Sequence, residues 1–299
     1  MEPVYETERG ELYCTDAASL LDELAGSETT AQLVFADPPY NIDKAAWDSF
    51  ESRADYLAWV SSWVSRAGDL LDPAGSMFVM GFSEILAHVK CRIVETCDWI
   101  DSVRWLVWHY RNKPQMSDSG FTRSHESVLW LRKSPEYTFR MDRVRIPYNE
   151  HTKQYPMREQ GQTSLFGSEE GYEWDPNVEG AKPRDVFDVP TVNNASSERT
   201  DHPTQKPAEL VRKFVWATTD RDDFVVDPFG GSGTTFAVAE QLGRRWVGSE
   251  REEAYCETTA ERLDELTHTA EPSYWMEHDL DRREHRRQTR YGSSGDADG

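Results

Sequence analysis

A short apolar strand that runs into a glycine-rich loop is the feature that most limits how this chain can fold. Residues 224–227 read Phe-Val-Val-Asp, and glycines follow at 230, 231 and 233, before a helix predicted to begin at Thr234. Glycine lets the backbone turn sharply and pass close to a ligand, and the free N–H groups of a helix N-terminus face the same space. Ligands bind at the carboxyl ends of strands in open α/β sheets, so this junction predicts a nucleoside pocket.

The spacing of this glycine loop narrows the class of ligand. A P-loop requires Gly-Lys-Ser/Thr, which the sequence lacks, and a dinucleotide fold would place a third glycine near Phe236. The loop therefore suits a nucleoside cofactor without a pyrophosphate, such as S-adenosylmethionine. The next predicted strand ends in Glu250, where a carboxylate can accept hydrogen bonds from both ribose hydroxyls.

The second informative motif is Asp37-Pro38-Pro39-Tyr40, which follows an apolar strand predicted at residues 31–36. The exocyclic amino nitrogen of adenine or cytosine is a poor nucleophile because its lone pair is delocalised into the ring. The Asp37 carboxylate and the Pro38 carbonyl can each accept one amino hydrogen, which favours a pyramidal nitrogen aimed at a methyl donor. The prolines hold these acceptors, and Tyr40 can stack on the base. A base inside a duplex must be flipped out to reach such a loop.

Alternating apolar strands and amphipathic helices predict a mostly parallel α/β sheet covered on both faces. The predicted strands are 12–16, 31–36, 76–81, 103–109, 127–131, 224–227 and 245–250, and the predicted helices are 17–24, 56–71, 85–95, 207–218, 234–242 and 252–266. Between residues 132 and 200, aromatic, arginine, proline and glycine residues mix without clear periodicity. This pattern indicates a loop-rich insertion rather than a second core.

Charge is unevenly distributed along the chain. The formal net charge is −21, and only 8 of the 33 basic residues are lysines, against 54 acidic residues. This lysine-poor, acid-rich composition resembles that of proteins from a salt-loaded cytoplasm, so we expect the host to be a halophilic archaeon or one of its viruses. Residues 104–158 nevertheless carry an excess of six positive charges, which is the footprint expected of a DNA-facing surface. A solvated face of uneven charge is the alternative.

The composition favours a soluble, cytoplasmic protein without a membrane partner. The sequence has no apolar run of membrane-spanning length and no signal segment at its N-terminus. Its four cysteines, at positions 14, 91, 97 and 256, are scattered and lack metal-ligand spacing. We therefore expect reduced thiols and no metal site.

Taken together, the motifs resemble those of the β-class DNA amino-methyltransferases, in which Asp-Pro-Pro-Tyr precedes the target-recognition region and the glycine loop comes late. Three further segments are similar to this family: His202-Pro203-Thr204-Gln205-Lys206-Pro207 before a helix, Asp16 after the opening strand, and His125-Glu126. The resemblance covers roughly residues 10–135 and 200–265. It implies a Rossmann-like S-adenosylmethionine-dependent methyltransferase fold with an inserted loop-rich target-recognition region.

The resemblance divides the chain into four parts. Residues 1–135 are expected to form the catalytic half of the methyltransferase domain, 136–200 the target-recognition region, 201–268 the cofactor-binding half, and 269–299 a charged, mobile tail. Within this family, an aspartate at position 37 favours adenine N6 as the target, because cytosine-N4 enzymes more often carry serine there. Some cytosine-N4 enzymes keep aspartate, so both bases stay open.

The resemblance also implies roles for individual residues. It implies that Asp37, Pro38, Pro39 and Tyr40 are catalytic. The residues implied to bind S-adenosylmethionine, with Thr204 and Lys206 at its methionine end, are Asp16, His202, Thr204, Lys206, Asp227, Phe229, Gly231, Gly233, Thr234 and Glu250. The residues expected to contact DNA are Arg111, Lys113, Arg123, Arg140, Arg143, Arg145, Lys153, Tyr155 and Arg158.

Double-stranded DNA is the expected substrate, and the resemblance leaves room for a homodimer and for a cognate restriction endonuclease. The sequence shows no endonuclease motif, so we expect a methyltransferase alone. An RNA amino-methyltransferase is the nearest alternative, but RNA and protein methyltransferases with a similar tetrapeptide usually place it after the glycine loop. A DNA-binding module without activity would explain the basic segment but neither motif.

Overall fold

A computed structural model describes residues 1–26, 29–44, 46–112, 119–148, 151, 158–160, 172–174 and 177–268. The chain divides into two compact units: one consists of Met1–Arg140 with Arg184–Ala270, and the other contains Met141–Pro183. No helix in the described ranges is long and apolar enough to cross a membrane.

The described residues of the two units together form eleven strands and six α-helices. The strands are β1 Tyr5–Glu6, β2 Gly10–Cys14, β3 Ala31–Ala36, β4 Leu71–Gly81, β5 Ser102–His109, β6 His125–Arg132, β7 Arg158–Gln160, β8 Tyr172–Trp174, β9 Val186–Asp188, β10 Phe224–Asp227 and β11 Arg245–Glu250. The α-helices are α1 Ala17–Leu24, α2 Arg53–Leu70, α3 Ser83–Thr96, α4 Ala208–Thr218, α5 Thr234–Gln241 and α6 Glu253–His268.

Nine of these strands form one mixed sheet in the order β1-β2-β11-β10-β3-β4-β6-β5-β9. Strands β2, β11, β10, β3 and β4 run parallel, and β6 is antiparallel to both β4 and β5. The prediction of a mostly parallel α/β sheet is therefore confirmed. Strands β1 and β9 were not predicted because segments of two or three residues carry no detectable periodicity.

The sheet is covered on both faces, as its apolar strands require. Successive side chains of a strand point to opposite faces, so Leu33 and Phe35 of β3 join one hydrophobic layer while Val34 joins the other. The first layer contains residues of α4, α5 and α6, such as Phe214, and the second contains residues of α1, α2 and α3, such as Trp63.

One predicted turn has a different structure. The segment Asp72-Pro73-Ala74-Gly75 separates the helix predicted at 56–71 from the strand predicted at 76–81 and, with its proline and glycine, indicates a turn, but it lies within β4. Ala31 pairs with Leu71, and the register between β3 and β4 then shifts before Leu33 pairs with Ser76. Proline is tolerated there because the irregularity removes the need for a regular ladder hydrogen bond.

The second unit contains short elements. Met141–Val144 forms a 3-10 helix, β7 and β8 pair antiparallel, and Ile146 bridges to Ala181. Arg145 is held within this unit by Asp142 at 2.7 Å and by the Gly180 carbonyl at 2.9 Å.

Candidate active site

The carboxyl ends of two adjacent parallel strands bring the two sequence motifs together. Strand β3 ends at Ala36 and leads into Asp37, and the neighbouring β10 ends at Asp227 and leads into the glycine loop. A cavity of about 290 Å³ at this edge is lined by both motifs, including Asp37, Pro39 and Gly231. Chemistry at the first motif can therefore take place beside a ligand bound by the second.

Two side chains hold the Asp37 carboxylate. Its Oδ2 accepts a hydrogen bond from Lys206 Nζ at 2.6 Å, and its Oδ1 accepts one from the Tyr40 hydroxyl at 2.6 Å. Glu126, at the start of β6, lies 3.6 Å from Lys206 Nζ and 3.1 Å from the Tyr40 hydroxyl. Lys206 lines the cavity and also bonds to Asp37, a contact that sequence reasoning did not predict, and its place at the methionine end of the cofactor stays a prediction.

Burial and the two neighbouring carboxylates together set the pKa values of Lys206 and Tyr40. Burial alone lowers the pKa of Lys206, but the carboxylates of Asp37 and Glu126 outweigh it, so its pKa lies above the usual value. Burial and the same two carboxylates raise the pKa of Tyr40 well above its usual value, which keeps the phenol neutral. With both carboxylates ionised, the cluster has one negative charge in excess, and this favours a cationic ligand such as a sulfonium.

The Tyr40 ring is also held from the side. It packs edge-on against Phe82, with ring centroids 5.1 Å apart. The Arg123 guanidinium lies 4.2 Å above the Phe82 ring and pairs with Glu84 at 2.9 Å. Arg123, predicted to contact DNA, therefore lies next to the loop of Asp37–Tyr40.

The glycine loop requires glycine at two positions. Gly231 and Gly233 have φ values of 53° and 70°, in the left-handed region that other residues rarely adopt. A Cβ atom on Gly231 would lie 3.3 Å from the His202 ring, and one on Gly233 would lie 2.6 Å from Thr259 Cγ2. The backbone can therefore approach a ligand here, and Gly233 caps α5, which begins at Thr234.

Four carboxylates line the cavity beside this loop, those of Asp16, Asp227, Glu250 and Glu252. Glu250 accepts hydrogen bonds from the backbone N–H groups of Gly231, Arg251 and Glu252 at 2.8 to 2.9 Å, and burial raises its pKa. Asp16 caps α1 by accepting from two backbone N–H groups at 3.0 Å. Both carboxylates keep lone pairs for a ligand hydroxyl or amine.

Asp227 is the most buried of the carboxylates that line the cavity. It is 2% exposed, accepts from the Phe229 N–H at 2.9 Å, and has a pKa raised to about 7 by burial. A carboxyl group in this state can be neutral near pH 7, so it is suited to hold the loop together rather than to carry a fixed charge.

The segment His202–Pro207 docks onto the glycine loop. The His202 ring faces Gly231 and packs edge-on against Tyr255 at 4.4 Å between centroids. Burial lowers the pKa of His202 to about 4, so the ring is neutral at pH 7 and its Nδ1 accepts from the Thr204 N–H. The Thr234 hydroxyl donates to the Lys206 carbonyl at 3.1 Å, which fixes the residue that reaches Asp37.

Sequence reasoning predicted Phe229 as a cofactor contact but missed Phe50 and Trp59, which complete an aromatic wall of the cavity. Phe50, Trp59 and Phe229 line it, with Trp59 5.0 Å from Phe50 and 5.7 Å from Phe229 between ring centroids. Trp59 lies on the amphipathic helix α2, where a tryptophan is expected to be a core residue. Only the packing of α2 against the loop of Phe229 identifies it as a wall. Such a wall beside carboxylate acceptors fits a nucleoside cofactor with a cationic end.

The structure does not gather the predicted DNA-contacting residues of the first unit at one place. Arg111 and Arg123 lie near the carboxyl edge of the sheet, and Arg111 pairs with Asp188. Arg140 pairs with Asp220, and its backbone N–H donates to the Ala217 carbonyl. Both partners come shortly before the start of β10, so Arg140 lies near the amino edge of the parallel strands, opposite the cavity.

Four predicted DNA contacts have no described side chain. Lys113, Lys153 and Tyr155 lie outside the described residues, and only the backbone of Arg158 is described, in β7. Arg143 and Arg145 belong to the second unit.

Known proteins with similar sequences are DNA methyltransferases. The DNA methylase family N6_N4_Mtase matches residues 31–261. The type II methyltransferase M1.MboII of Moraxella bovis is 31% identical over 231 residues, which cover 76% of this chain and 86% of that protein. The type II methyltransferase M.HpaI of Haemophilus parainfluenzae is 28% identical over 256 residues, which cover 85% of this chain and 74% of that protein.

Solved structures share the fold. The cytosine-N4-specific PvuII DNA methyltransferase matches with a TM-score of 0.66 at 20% identity, covering 95% of each chain. The complex of M1.HpyAVI with S-adenosylmethionine matches with a TM-score of 0.57 at 22% identity, covering 85% of this chain and 99% of that one. The family match covers most of the chain, and the fold and the cavity lined by both motifs agree with it. This chain belongs to the N6_N4_Mtase family of DNA methylases.

Proposed function

We propose that the protein transfers the methyl group of S-adenosylmethionine to an exocyclic amino group of a flipped-out base at specific sites in duplex DNA. Its family and its type II methyltransferase relatives support DNA amino-methylation. The observation that carries the proposal is the single cavity that Asp37 and the glycine loop share.

The residues around the cavity fit this cofactor. Bound S-adenosylmethionine supplies an electrophilic methyl group on a sulfonium. Glu250 and Asp16 are placed to accept hydrogen bonds from its hydroxyl and amino groups, and the wall of Phe50, Trp59 and Phe229 can pack against its adenine. The excess negative charge around Asp37 and Glu126 favours the sulfonium without forming a bond to it.

On the base side, Asp37 and the Pro38 carbonyl accept the two amino hydrogens. A carboxylate oxygen has two lone pairs, so Asp37 can accept an amino hydrogen while it remains bonded to Lys206 and Tyr40. Positive charge develops on the amino nitrogen during methyl transfer, and the carboxylate beside it stabilises that charge.

Adenine N6 and cytosine N4 are the two targets that this site can serve. Asp37 favours adenine within the family, whereas the cytosine-N4-specific PvuII enzyme has a similar fold. We propose residues 136–200 as the target-recognition region and the predicted arginines and lysines as contacts to DNA. Type II relatives support a restriction–modification context, so a cognate endonuclease and a homodimer are part of the proposal, with the cytoplasm as its location.

The acid-rich composition leads to a further part of the proposal, namely a halophilic archaeal or viral origin. The net charge of −21 and the scarcity of lysine support it.

Modified-base analysis of plasmid DNA tests the function. The wild-type chain and the Asp37→Ala variant are expressed in a host that lacks DNA methylation, and nucleosides are separated by mass spectrometry. Wild type should produce N6-methyladenine or N4-methylcytosine in one short sequence, and Asp37→Ala should produce neither while it still binds duplex DNA. Asp22→Ala, which breaks an exposed ion pair with Arg66, is the matched control and should methylate normally.

Two outcomes would overturn the proposal. If the folded wild-type protein binds S-adenosylmethionine but leaves DNA unmodified at every salt concentration, DNA is not its substrate, and RNA should be tested. If Asp37→Ala loses duplex binding and methylation equally, Asp37 is a structural residue.

A further inference from the structure

The backbone that follows Tyr40 is held by one buried carboxylate. Asp48 is 1% exposed, and its Oδ1 accepts hydrogen bonds from the N–H groups of Tyr40 and Asn41 at 2.6 and 2.7 Å. Its Oδ2 accepts from the N–H groups of Ile42 and Lys44 at 3.2 and 3.1 Å. Four bonds to one carboxylate fix the path of this loop.

This loop contains backbone strain that needs such support. Asn41 and Asp43 have φ values of 56° and 55°, in the left-handed region. Residues other than glycine keep that conformation only where the surrounding structure over-determines it, and such strain clusters at functional sites. Asp48 bonds to residues on both sides of the two strained positions, so it supplies the constraint.

The peptide group between Pro39 and Tyr40 is held at both ends. Its N–H donates to Asp48, and its carbonyl accepts a hydrogen bond from the Tyr56 hydroxyl at 3.1 Å. Tyr56 is 3% exposed, and burial together with the nearby charge of Asp48 raises its pKa, so the phenol stays a donor. This peptide plane cannot rotate without breaking one of these bonds.

A fixed Pro39–Tyr40 peptide also fixes the carbonyl before it. The ring of Pro39 sets its φ angle, and the held peptide sets its ψ angle, so the Pro38 carbonyl has no independent rotation about Pro39. The Pro38 carbonyl is the acceptor for the second amino hydrogen of the target base. Asp37, the first acceptor, is held separately by Lys206 and Tyr40.

We propose that Asp48 and Tyr56 are positioning residues for methyl transfer. They hold the Pro39–Tyr40 peptide so that the Pro38 carbonyl is aimed at the target amino group before the base arrives. This inference rests on the proposed function, because it needs an amino group to be the methyl acceptor. Neither residue contacts the reacting atoms, so each acts through the backbone of the catalytic loop.

Single-turnover methylation of the Asp48→Asn variant tests this role. Asparagine keeps the size of the side chain but replaces one acceptor oxygen with a donor, so two of the four bonds are lost. The substrate is an unmethylated duplex that carries the target sequence, and S-adenosylmethionine is saturating. Under these conditions the rate should fall about 100-fold, as for a displacement near 1 Å. The dissociation constants for S-adenosylmethionine and for the duplex should change less than about threefold.

Tyr56→Phe provides a second variant that removes a single hydroxyl and keeps the aromatic packing. Its rate should also fall, by a smaller factor, again without loss of binding. Because both residues hold the same peptide, the double variant should lose less than the product of the two single effects. Asp43→Asn is the matched control, since Asp43 is exposed in the same loop and accepts one bond from the Ser49 hydroxyl at 2.8 Å. It should react at the wild-type rate.

The results separate the possible failures. If wild type does not methylate DNA, the proposed function is wrong. If wild type is active and Asp48→Asn and Tyr56→Phe both fold and react at its rate, only the positioning role is wrong. Loss of S-adenosylmethionine affinity in step with the rate would also overturn it, because Asp48 would then shape the cofactor pocket. If Asp48→Asn does not fold, Tyr56→Phe alone decides.

Discussion

Lys206 Nζ lies 2.6 Å from Asp37 Oδ2, although 169 positions separate the two residues in the chain. The lysine comes from the segment that docks on the glycine loop, and the aspartate comes from the Asp-Pro-Pro-Tyr loop. The pair is largely buried, with side-chain exposures of 8% and 18%. The Asp37 carboxylate, near the start of the chain, therefore takes its counterion from a segment far along the chain that packs on the glycine loop.

Replacing Lys206 with methionine should shift the pH dependence of methyl transfer. The variant leaves Asp37 and Glu126 close together without a cation, which disfavours two ionised carboxylates in a buried site. The acid limb of the single-turnover rate profile should move to higher pH, and the rate at pH 7 should fall. Lys213→Met, which breaks an exposed ion pair with Glu209, is the control and should leave the profile unchanged. A uniform loss at all pH values would contradict a role of the lysine as the counterion of these carboxylates.

Glu250→Gln should weaken the binding of S-adenosylmethionine more than it slows catalysis. The amide loses one acceptor oxygen, so the N–H groups of Gly231, Arg251 and Glu252 can no longer all be satisfied. Loss of one hydrogen bond to a charged group costs about 1.5–3 kcal/mol, which corresponds to a rise in dissociation constant of roughly 10-fold or more. Isothermal titration calorimetry measures this constant, and Glu257→Gln, at an exposed position of α6 away from the cavity lining, is the control. An unchanged constant would contradict the role of Glu250.

The wild-type protein should lose stability as pH rises because of Asp227, and the Asp227→Asn variant should not show this loss. The pKa of Asp227 is raised from 3.8 to about 7 in the folded protein, so folding is favoured by its protonated form. This contribution is fully present below about pH 4 and is lost as pH rises through 7, at up to about 1.4 kcal/mol for each pH unit within that window.

Thermal unfolding at pH 5 to 8 measures this effect as the difference between variant and wild type. The melting temperature of Asp227→Asn should rise relative to wild type as pH increases. His202, whose pKa is lowered to about 4, changes stability in the opposite direction, since its contribution is lost as pH falls from 6.5 towards 4. It contributes equally to both proteins and cancels. Parallel curves would contradict the buried state of Asp227.

The acidic surface predicts an unusual response to salt. Screening alone relieves repulsion among the excess charges and is nearly complete at 1 M salt, where the Debye length is about 3 Å. A protein adapted to a salt-loaded cytoplasm should gain stability beyond that point. The proposed halophilic origin therefore predicts that the melting temperature keeps rising between 1 and 3 M KCl and that the wild type methylates DNA in the same range. A plateau at 1 M would contradict a halophilic origin.

Sequence patterns predicted the central elements of the fold correctly because both faces of those strands are buried. Strands β3, β10 and β11 and helix α1 have the predicted bounds, and continuous apolar runs or helical spacing explain why. Strand β4 extends further back than predicted because Leu71 pairs with Ala31 across a register shift, which local sequence does not reveal. Strand β9 forms through pairing with β5, a contact between distant segments.

The candidate site was predictable in its motifs but not in its supporting contacts. Both the Asp37 loop and the glycine loop were predicted because each directly follows a short apolar run that is typical of a buried strand, and ligands bind at the carboxyl ends of such strands. Asp48 carries no signal in the sequence, since a single aspartate after a tryptophan is commonly a surface residue. Its four backbone bonds depend on how the loop from Tyr40 to Asp48 folds back on itself. The approach of Lys206 to Asp37 depends on the pairing of β10 with β3 and on the packing of the Lys206 segment against the glycine loop, and spacing in the sequence cannot predict it.

The interleaving of strands makes the two ends of the chain dependent on each other. Strands β2 and β3 come from the N-terminal part, but β11 and β10 from the C-terminal part lie between them. A chain cut between residues 141 and 183 would give two pieces, neither with a complete central sheet, because β2 and β3 cannot reach each other across two strand positions of about 4.8 Å each. Such pieces can fold only as a complementing pair, so one half alone would give neither a cofactor-binding fragment nor a catalytic one.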